Sequence, residues 1–258
     1  VSDDASLVFG LHAVEAVLRA PGRVRELWLD AARRDQRMRE LAARAEQEKV
    51  RVQWVGKEKL DELAGEEARH QGAVARVRPS QPLSESGLED LLVQLTAPPF
   101  FLVLDGVTDP HNLGACLRTA DGAGVHAVIT PRDRAVGLNP TVRKVASGAA
   151  ETVPLIQVTN LARTLRTLQE AGVFIVGTAG EAEQELYQAN LTGPLALVMG
   201  AEGKGMRRLT RDHCDLLVRL PMRGGVESLN VSVATGVCLY EALRQRGVRP
   251  QINANVWM

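Results

Sequence analysis

The chain has 258 residues, enough for one large domain or two small ones with a substantial core. With 45% apolar residues, 24% charged residues and zero formal net charge, it reads as globular; a uniformly basic surface is excluded, a local basic face is not. Only 3% of residues are aromatic, which argues against a stacking platform for single-stranded nucleic acid, and three cysteines without a Cys-x-x-Cys pair argue against a disulfide framework or a zinc site.

Reduced thiols predict a cytoplasmic protein. Asp3 and Asp4 near the start, with no long apolar run, predict no signal peptide. No run of about 18 apolar residues is present, so no membrane partner is expected.

The first elements alternate. Residues 10–20 read as a helix with Leu11, Val14 and Leu18 on one face, 24–29 as a strand and 36–49 as a helix. Residues 50–55 read as a strand, 57–63 as a short helix and 73–77 as a last strand, which predicts a small α/β/α sandwich. Between Arg19 and Arg44 eight arginines face four acids, Glu26, Asp30, Asp35 and Glu40. Such a window either tracks a phosphate backbone or is a solvated face with pairs such as Asp35–Arg39. His70-Gln71-Gly72 is a polar turn that either touches RNA or only turns the chain.

Residues 79–87, with two prolines, three serines and a glycine, mark a linker. The expected division is a domain over 1–78, a linker and lead-in over 79–98, a second domain over 99–248 and a tail over 249–258.

Downstream, apolar strands recur at 100–104, 125–129, 154–158, 173–177, 195–200 and 216–220. Leu161, Leu165 and Leu168 form one helical stripe, and 229–246 reads as a long closing helix. Near-continuous apolar strands alternating with helices predict an α/β fold with a parallel sheet covered on both faces. Ligands of such sheets bind outside the carboxyl ends of the strands.

Three strand-to-loop-to-helix junctions carry the chemistry. The first, Asp-Pro-His-Asn-Leu-Gly-Ala-Cys-Leu-Arg-Thr-Ala over 109–120, brings Asn112 to the start of a helix, with Arg118 roughly 120° around it. An amide and a guanidinium there can hold a ribose, a phosphate or a carboxylate; equally, they can be a helix cap and a surface arginine. The second, Val-Met-Gly-Ala-Glu-Gly-Lys-Gly-Met over 198–206, is a Gly-rich turn that exposes backbone N–H groups. Its glycine spacing fits neither a dinucleotide fingerprint nor a Walker A loop, which disfavours a nicotinamide or ATP enzyme. The third, Leu-Pro-Met-Arg-Gly-Gly-Val-Glu-Ser-Leu-Asn-Val-Ser over 220–232, puts Ser228 and Asn230 where a loop enters the last helix. They cap that helix or line a site; a serine nucleophile is not indicated.

Taken in order, residues 105–118, 198–206 and 220–233 resemble the three motifs of the SPOUT superfamily of RNA methyltransferases, and more closely the TrmH-type ribose 2′-O-methyltransferases. The resemblance runs along nearly the whole chain. Residues 104–117, 144–155 and 199–208 are similar in particular to enzymes that methylate a guanosine in the P-loop hairpin of the 23S rRNA peptidyl-transferase centre.

The resemblance implies a C-terminal α/β-knot domain with a deep trefoil knot, and a small N-terminal L30e-like domain that holds RNA. It implies S-adenosylmethionine as cofactor, no metal, a homodimer whose chains jointly complete each site, and 23S rRNA or an assembling large ribosomal subunit as partner. Carried over by motif, Asn112, Arg118, Glu202, Ser228 and Asn230 are catalytic. Thr178, Ala179, Met199, Gly200, Gly203, Leu220, Met222 and Leu229 hold the cofactor. Arg23, Arg33, Arg34, His70 and Gln71 meet RNA.

A ribose hydroxyl must attack the sulfonium methyl in line from about 3 Å. A guanidinium is a poor base, so Arg118 is expected either to act as a base only in a desolvated site or to clamp an RNA phosphate and stabilise developing alkoxide charge. Glu202 is expected to orient Arg118 through a charge-assisted pair. Lys204 and Glu227 add charges inside the motif loops; Lys204 suits an RNA phosphate, and Glu227 either pairs with Arg223 or faces water. Alternatives are a tRNA guanosine 2′-O-methyltransferase and a non-catalytic RNA-binding assembly factor.

Overall fold

A computed structural model describes residues 6–20, 22–33, 35–65 and 68–247. They fall into two units: residues up to Gln81 together with Ser147–Thr152, and Pro82–Ala146 together with residues from Val153 onward.

The first unit contains β1 (Ser6–Phe9), α1 (Leu11–Leu18), β2 (Val24–Asp30), α2 (Gln36–Gln47), β3 (Arg51–Val55), α3 (Lys57–Ala64) and β4 (Ala73–Val77). Its sheet runs β1-β4-β2-β3, with β2 and β3 parallel and the other pairs antiparallel. The pleat sorts the side chains of β2. Leu27 and Leu29 pack with Val14 of α1 and Met38 and Leu41 of α2. Trp28, between them in sequence, packs on the other face with Leu60 of α3 and Val74. Two helices on one face and one on the other make the α/β/α sandwich that the alternation predicts. The sequence reading missed β1, whose four residues are too few for a period to emerge.

The second unit begins with α4 (Glu85–Gln94), a helix inside the stretch expected as linker and lead-in. Then come β5 (Phe100–Asp105), α5 (Pro110–Gly122), β6 (Ala127–Pro131) and α6 (Pro140–Ala146). The short α7 (Ala149–Thr152) falls in the first unit. After it follow β7 (Leu155–Val158), α8 (Leu161–Glu170), β8 (Phe174–Thr178), β9 (Gln184–Glu185), β10 (Leu195–Gly200), α9 (Arg208–Asp212), β11 (Leu216–Arg219) and α10 (Val231–Gln245).

The seven strands pair in parallel, in the order β7-β6-β5-β10-β8-β11-β9. On one face Phe101, Val103, Ile129, Ala196 and Val198 meet Leu88 of α4 and Leu161, Leu165 and Leu168 of α8. The other face carries α5, which packs against α6 and α10. All six residues of β5 are buried, as a parallel strand covered on both sides requires.

The order places β5, β10, β8 and β11 side by side and in parallel. The loops that leave their carboxyl ends therefore gather at one edge of the sheet, although the first begins after Asp105 and the last after Arg219.

Candidate active site

Asn112 is not a helix cap. Asp109 caps α5 by accepting from the His111 N–H at 3.0 Å, with Pro110 at the first helical position where a missing N–H costs nothing. That leaves the Asn112 side chain, which is buried, free for another partner. The partner is Asn230, the cap of α10. Its Oδ1 accepts from the backbone N–H of Ser232 at 2.9 Å and of Val233 at 3.4 Å. Its Nδ2 donates to Asn112 Oδ1 at 3.0 Å and to Glu202 Oε1 at 2.7 Å. A planar amide with two donors and a two-lone-pair acceptor is thus used at both ends. The cap and the site are the same residue.

A cleft of about 480 Å³ opens between the loops after β8, β10 and β11. Thr178, Ala179, Met199, Gly200, Gly203, Leu220, Met222 and Leu229 all line it, together with Ser228 and Glu227. The sequence reading missed Glu181 and Arg219, which also face it; neither belongs to a motif loop. Gly200 is required by its neighbours: a Cβ there would lie 2.3 Å from the backbone of Gly205 and Met206. The loop closes on itself through Ala201 N–H to Gly205 O at 3.1 Å and Gly205 N–H to Ala201 O at 2.9 Å. Apolar walls at Met199, Leu220, Met222 and Leu229 suit a planar aromatic group. The carboxylates of Glu181, Glu202 and Glu227 suit hydroxyls and a positive centre. Glu181 is itself ion-paired with Arg211.

A second cleft, of about 350 Å³, lies across the same loop. It is lined by Asp105, Val107, Asp109, Asn112, Arg134, Lys204 and Arg207, and shares Ala201, Glu202, Gly205 and Val231 with the first. Its floor is an ion pair. Asp105, fully buried at the end of β5, accepts from the Arg207 N–H at 2.8 Å and from Arg207 Nε at 2.6 Å. A two-point clamp of this kind holds the Gly-rich loop to the sheet. No local pattern announces it, because the partners stand 102 positions apart.

Several expected placements differ. Arg118 lies on the exposed side of α5 and lines neither cleft. Glu202 is engaged by Asn230, not by Arg118, because six residues along α5 carry the guanidinium away from the Asn112 face. Glu227 makes no ion pair with Arg223 among the described residues.

In the first unit, His70 is buried, with Nε2 against Asp61 Oδ1 at 2.9 Å and Nδ1 accepting from the Gly72 N–H at 3.0 Å. Both ring nitrogens are engaged within the unit, one by Asp61 of α3 and the other by the N–H of Gly72 in its own turn. Gln71 is exposed, but its Oε1 accepts from the Leu11 N–H at 3.3 Å. Arg23 binds Glu151 at 2.7 Å. Arg33 binds Asp35 and the Gln71 carbonyl. Arg34 lies outside the described residues.

Burial raises the Cys116 thiol to about 11, and the Cys214 and Cys238 thiols to about 12, so none is a nucleophile at neutral pH. Among the described residues no cluster could hold a metal, and no helix is long and apolar enough to cross a membrane.

The family model of SpoU rRNA methylases matches residues 99–240, and a model described as RNA 2′-O ribose methyltransferase substrate binding matches residues 7–83. The chain is 60% identical to the 23S rRNA (guanosine-2′-O-)-methyltransferase RlmB of Pseudomonas putida, across 94% of this chain and 97% of that protein. It is 58% identical to RlmB of Escherichia coli K12, across 94% and 99%. Among solved structures, the SpoU methyltransferase AviRb from Streptomyces viridochromogenes, in complex with AdoMet, superposes with a TM-score of 0.65 at 23% identity. The match covers 93% of this chain and 90% of AviRb, and it establishes the shared fold.

Proposed function

Because this chain belongs to the SpoU rRNA methylase family, we propose that it methylates the ribose 2′-hydroxyl of a guanosine in 23S rRNA, with S-adenosylmethionine as donor. The observation that carries this reading is the meeting of two clefts at one hydrogen-bonded group, Asn112–Asn230–Glu202.

The first cleft fits the cofactor. Leu220, Met222 and Leu229 would enclose the adenine, backbone groups of the Gly-rich loop would follow the rest, and the nearby carboxylates favour a sulfonium. When bound, S-adenosylmethionine supplies an electrophilic methyl group that needs no metal. The chain's work is positioning. Asn230, fixed at both ends of its amide, sets Glu202 and Asn112 where a ribose must lie. Ser228 borders the same cleft and offers a hydroxyl to the ribose or the cofactor. Arg118 steadies an RNA phosphate and the developing alkoxide through its guanidinium.

Arg118 does this from a second copy of the chain. It is exposed on α5, and the α10 helix packed against α5 leaves Val233 and Tyr240 each 52% exposed, an apolar face that a homodimer would cover. A trefoil knot in residues 99–248 and an L30e-like RNA-holding domain over 1–78 complete the proposal, with the half-buried Arg33 and the exposed Gln71 as RNA contacts and a cytoplasmic setting.

The test is incubation with labelled S-adenosylmethionine and, side by side, an unmodified 23S rRNA fragment and tRNA. Label in the rRNA fragment alone supports the reading; label in tRNA alone overturns it.

A further inference from the structure

We infer that the second cleft seats the target nucleotide and that Arg134 and Lys204 hold its phosphodiester. The inference rests on the methyltransferase reading and extends it to the RNA side of the same site. In-line transfer needs the attacking oxygen and the departing sulfur on opposite sides of the methyl. The Ala201–Gly205 loop lines both clefts, and Glu202 and Val231 face both. The cofactor positions all lie in one cleft, which leaves the other, sharing Glu202, for the attacking hydroxyl.

The charges of the second cleft sort themselves by partner. Asp105 and Arg207 neutralise each other. Asp109 accepts from its own helix, and Glu202 accepts from Asn230. Arg134 and Lys204 remain, both exposed and neither with a hydrogen bond or ion pair among the described residues. Arg134 also has φ of 58°, a backbone conformation that L-residues adopt only where the surroundings hold it. The Val136 N–H, bonded to the Val107 carbonyl at 3.0 Å, ties this loop to the one after β5. Two unpaired cations above a cleft of nucleotide size, beside Asp109 and Glu202, which each keep a free carboxylate oxygen, match a ligand with an anionic phosphate and a base edge rich in donors. The cofactor's carboxylate is the other possible anion, but the first cleft carries its own cation, Arg219, held there by donation to the Ala182 carbonyl at 2.7 Å.

The experiment uses the full chain and an unmodified RNA hairpin from the 23S peptidyl-transferase centre. It compares Arg134→Ala, Lys204→Ala and Arg134→Lys with the parent. Each alanine variant should raise KM for RNA about tenfold, the scale of one charge-assisted hydrogen bond, with kcat changed far less. The slope of log KM against log salt should fall by about 0.7 for each cation removed. Arg134→Lys should recover most of the loss, and calorimetric affinity for S-adenosylhomocysteine should stay within about twofold of the parent in all three. Parent-like KM and salt slope in both alanine variants would overturn the inference. So would a loss confined to S-adenosylhomocysteine affinity, which would assign the cations to the cofactor. Direct RNA binding separates the two levels. A parent that binds the hairpin without methylating it overturns the functional reading and the inference with it; a methylating parent with unaltered variants overturns the inference alone.

Discussion

The Nδ2 of Asn230 donates to the Oδ1 of Asn112 at 3.0 Å, across 118 positions of sequence. One amide thereby joins the N-terminus of the last helix to the first turn of α5, and Glu202 Oε1 completes the group at 2.7 Å. Replacing Asn230 with Asp separates its two roles. The capping oxygen survives, so the melting temperature should move by only a few degrees. The donor is lost, and a carboxylate faces Glu202. Methyl transfer should fall roughly a hundredfold, the scale of displacing a positioned group by about an ångström. Equal losses of stability and activity in parallel would reduce Asn230 to a cap.

Arg118 lines neither cleft of its own chain. If a second copy supplies it, Arg118→Ala and Asn230→Asp should each be inactive alone and should complement when mixed and refolded together. Random pairing with one intact site per mixed dimer returns about a quarter of parental activity. Activity that stays at background in the mixture would place Arg118 and Asn230 in one chain's site.

Gly200 faces the backbone of Gly205 and Met206 so closely that an added Cβ would lie 2.3 Å away. Gly200→Ala should push the Ala201–Gly205 loop outward, cost about 1–3 kcal/mol as overpacking does, and abolish calorimetric binding of S-adenosylmethionine. Gly203→Ala meets open space, with a φ of 72° as its only penalty, and should keep measurable binding. Equal behaviour of the two variants would contradict the close-packed loop.

His126 is held below its ordinary value of 6.5 by burial, and next by Arg246. Its Nδ1 accepts from the Phe100 N–H at 3.0 Å, which needs that nitrogen unprotonated. The unfolded chain therefore binds the proton more readily. Stability is complete above about pH 6.5 and declines as pH falls through the lower folded value. His126→Asn keeps an acceptor and removes the titration, so the loss of denaturant stability between pH 8 and pH 5.5 should be smaller in the variant. An unchanged loss would place the pH sensitivity elsewhere.

Much of this was legible in the chain. Strand β10 lies where its apolar run places it, and β5 and β11 differ by one residue at an end, because a buried parallel strand is written as a continuous apolar run. The Leu161–Leu165–Leu168 stripe is buried as its helical spacing requires. The eight expected cofactor positions share one cleft, since each lies at the carboxyl end of β8, β10 or β11 or in the loop that follows it. What escaped was long-range pairing and side-chain direction. The Asp105–Arg207 clamp and the engagement of Glu202 by Asn230 depend on which strands become neighbours, a property of topology that no local pattern encodes. His70 looked like a polar turn residue, but a lone histidine does not declare whether its ring faces solvent or, as here, closes its own turn.

The central claim is tested most directly by identifying the modified nucleoside. An unmodified 23S rRNA fragment is incubated with the chain and methyl-labelled S-adenosylmethionine, digested to nucleosides and resolved by mass spectrometry. The account predicts 2′-O-methylguanosine from a single position in the peptidyl-transferase-centre hairpin; label on a base, on another nucleoside's ribose, or no label at all would contradict it.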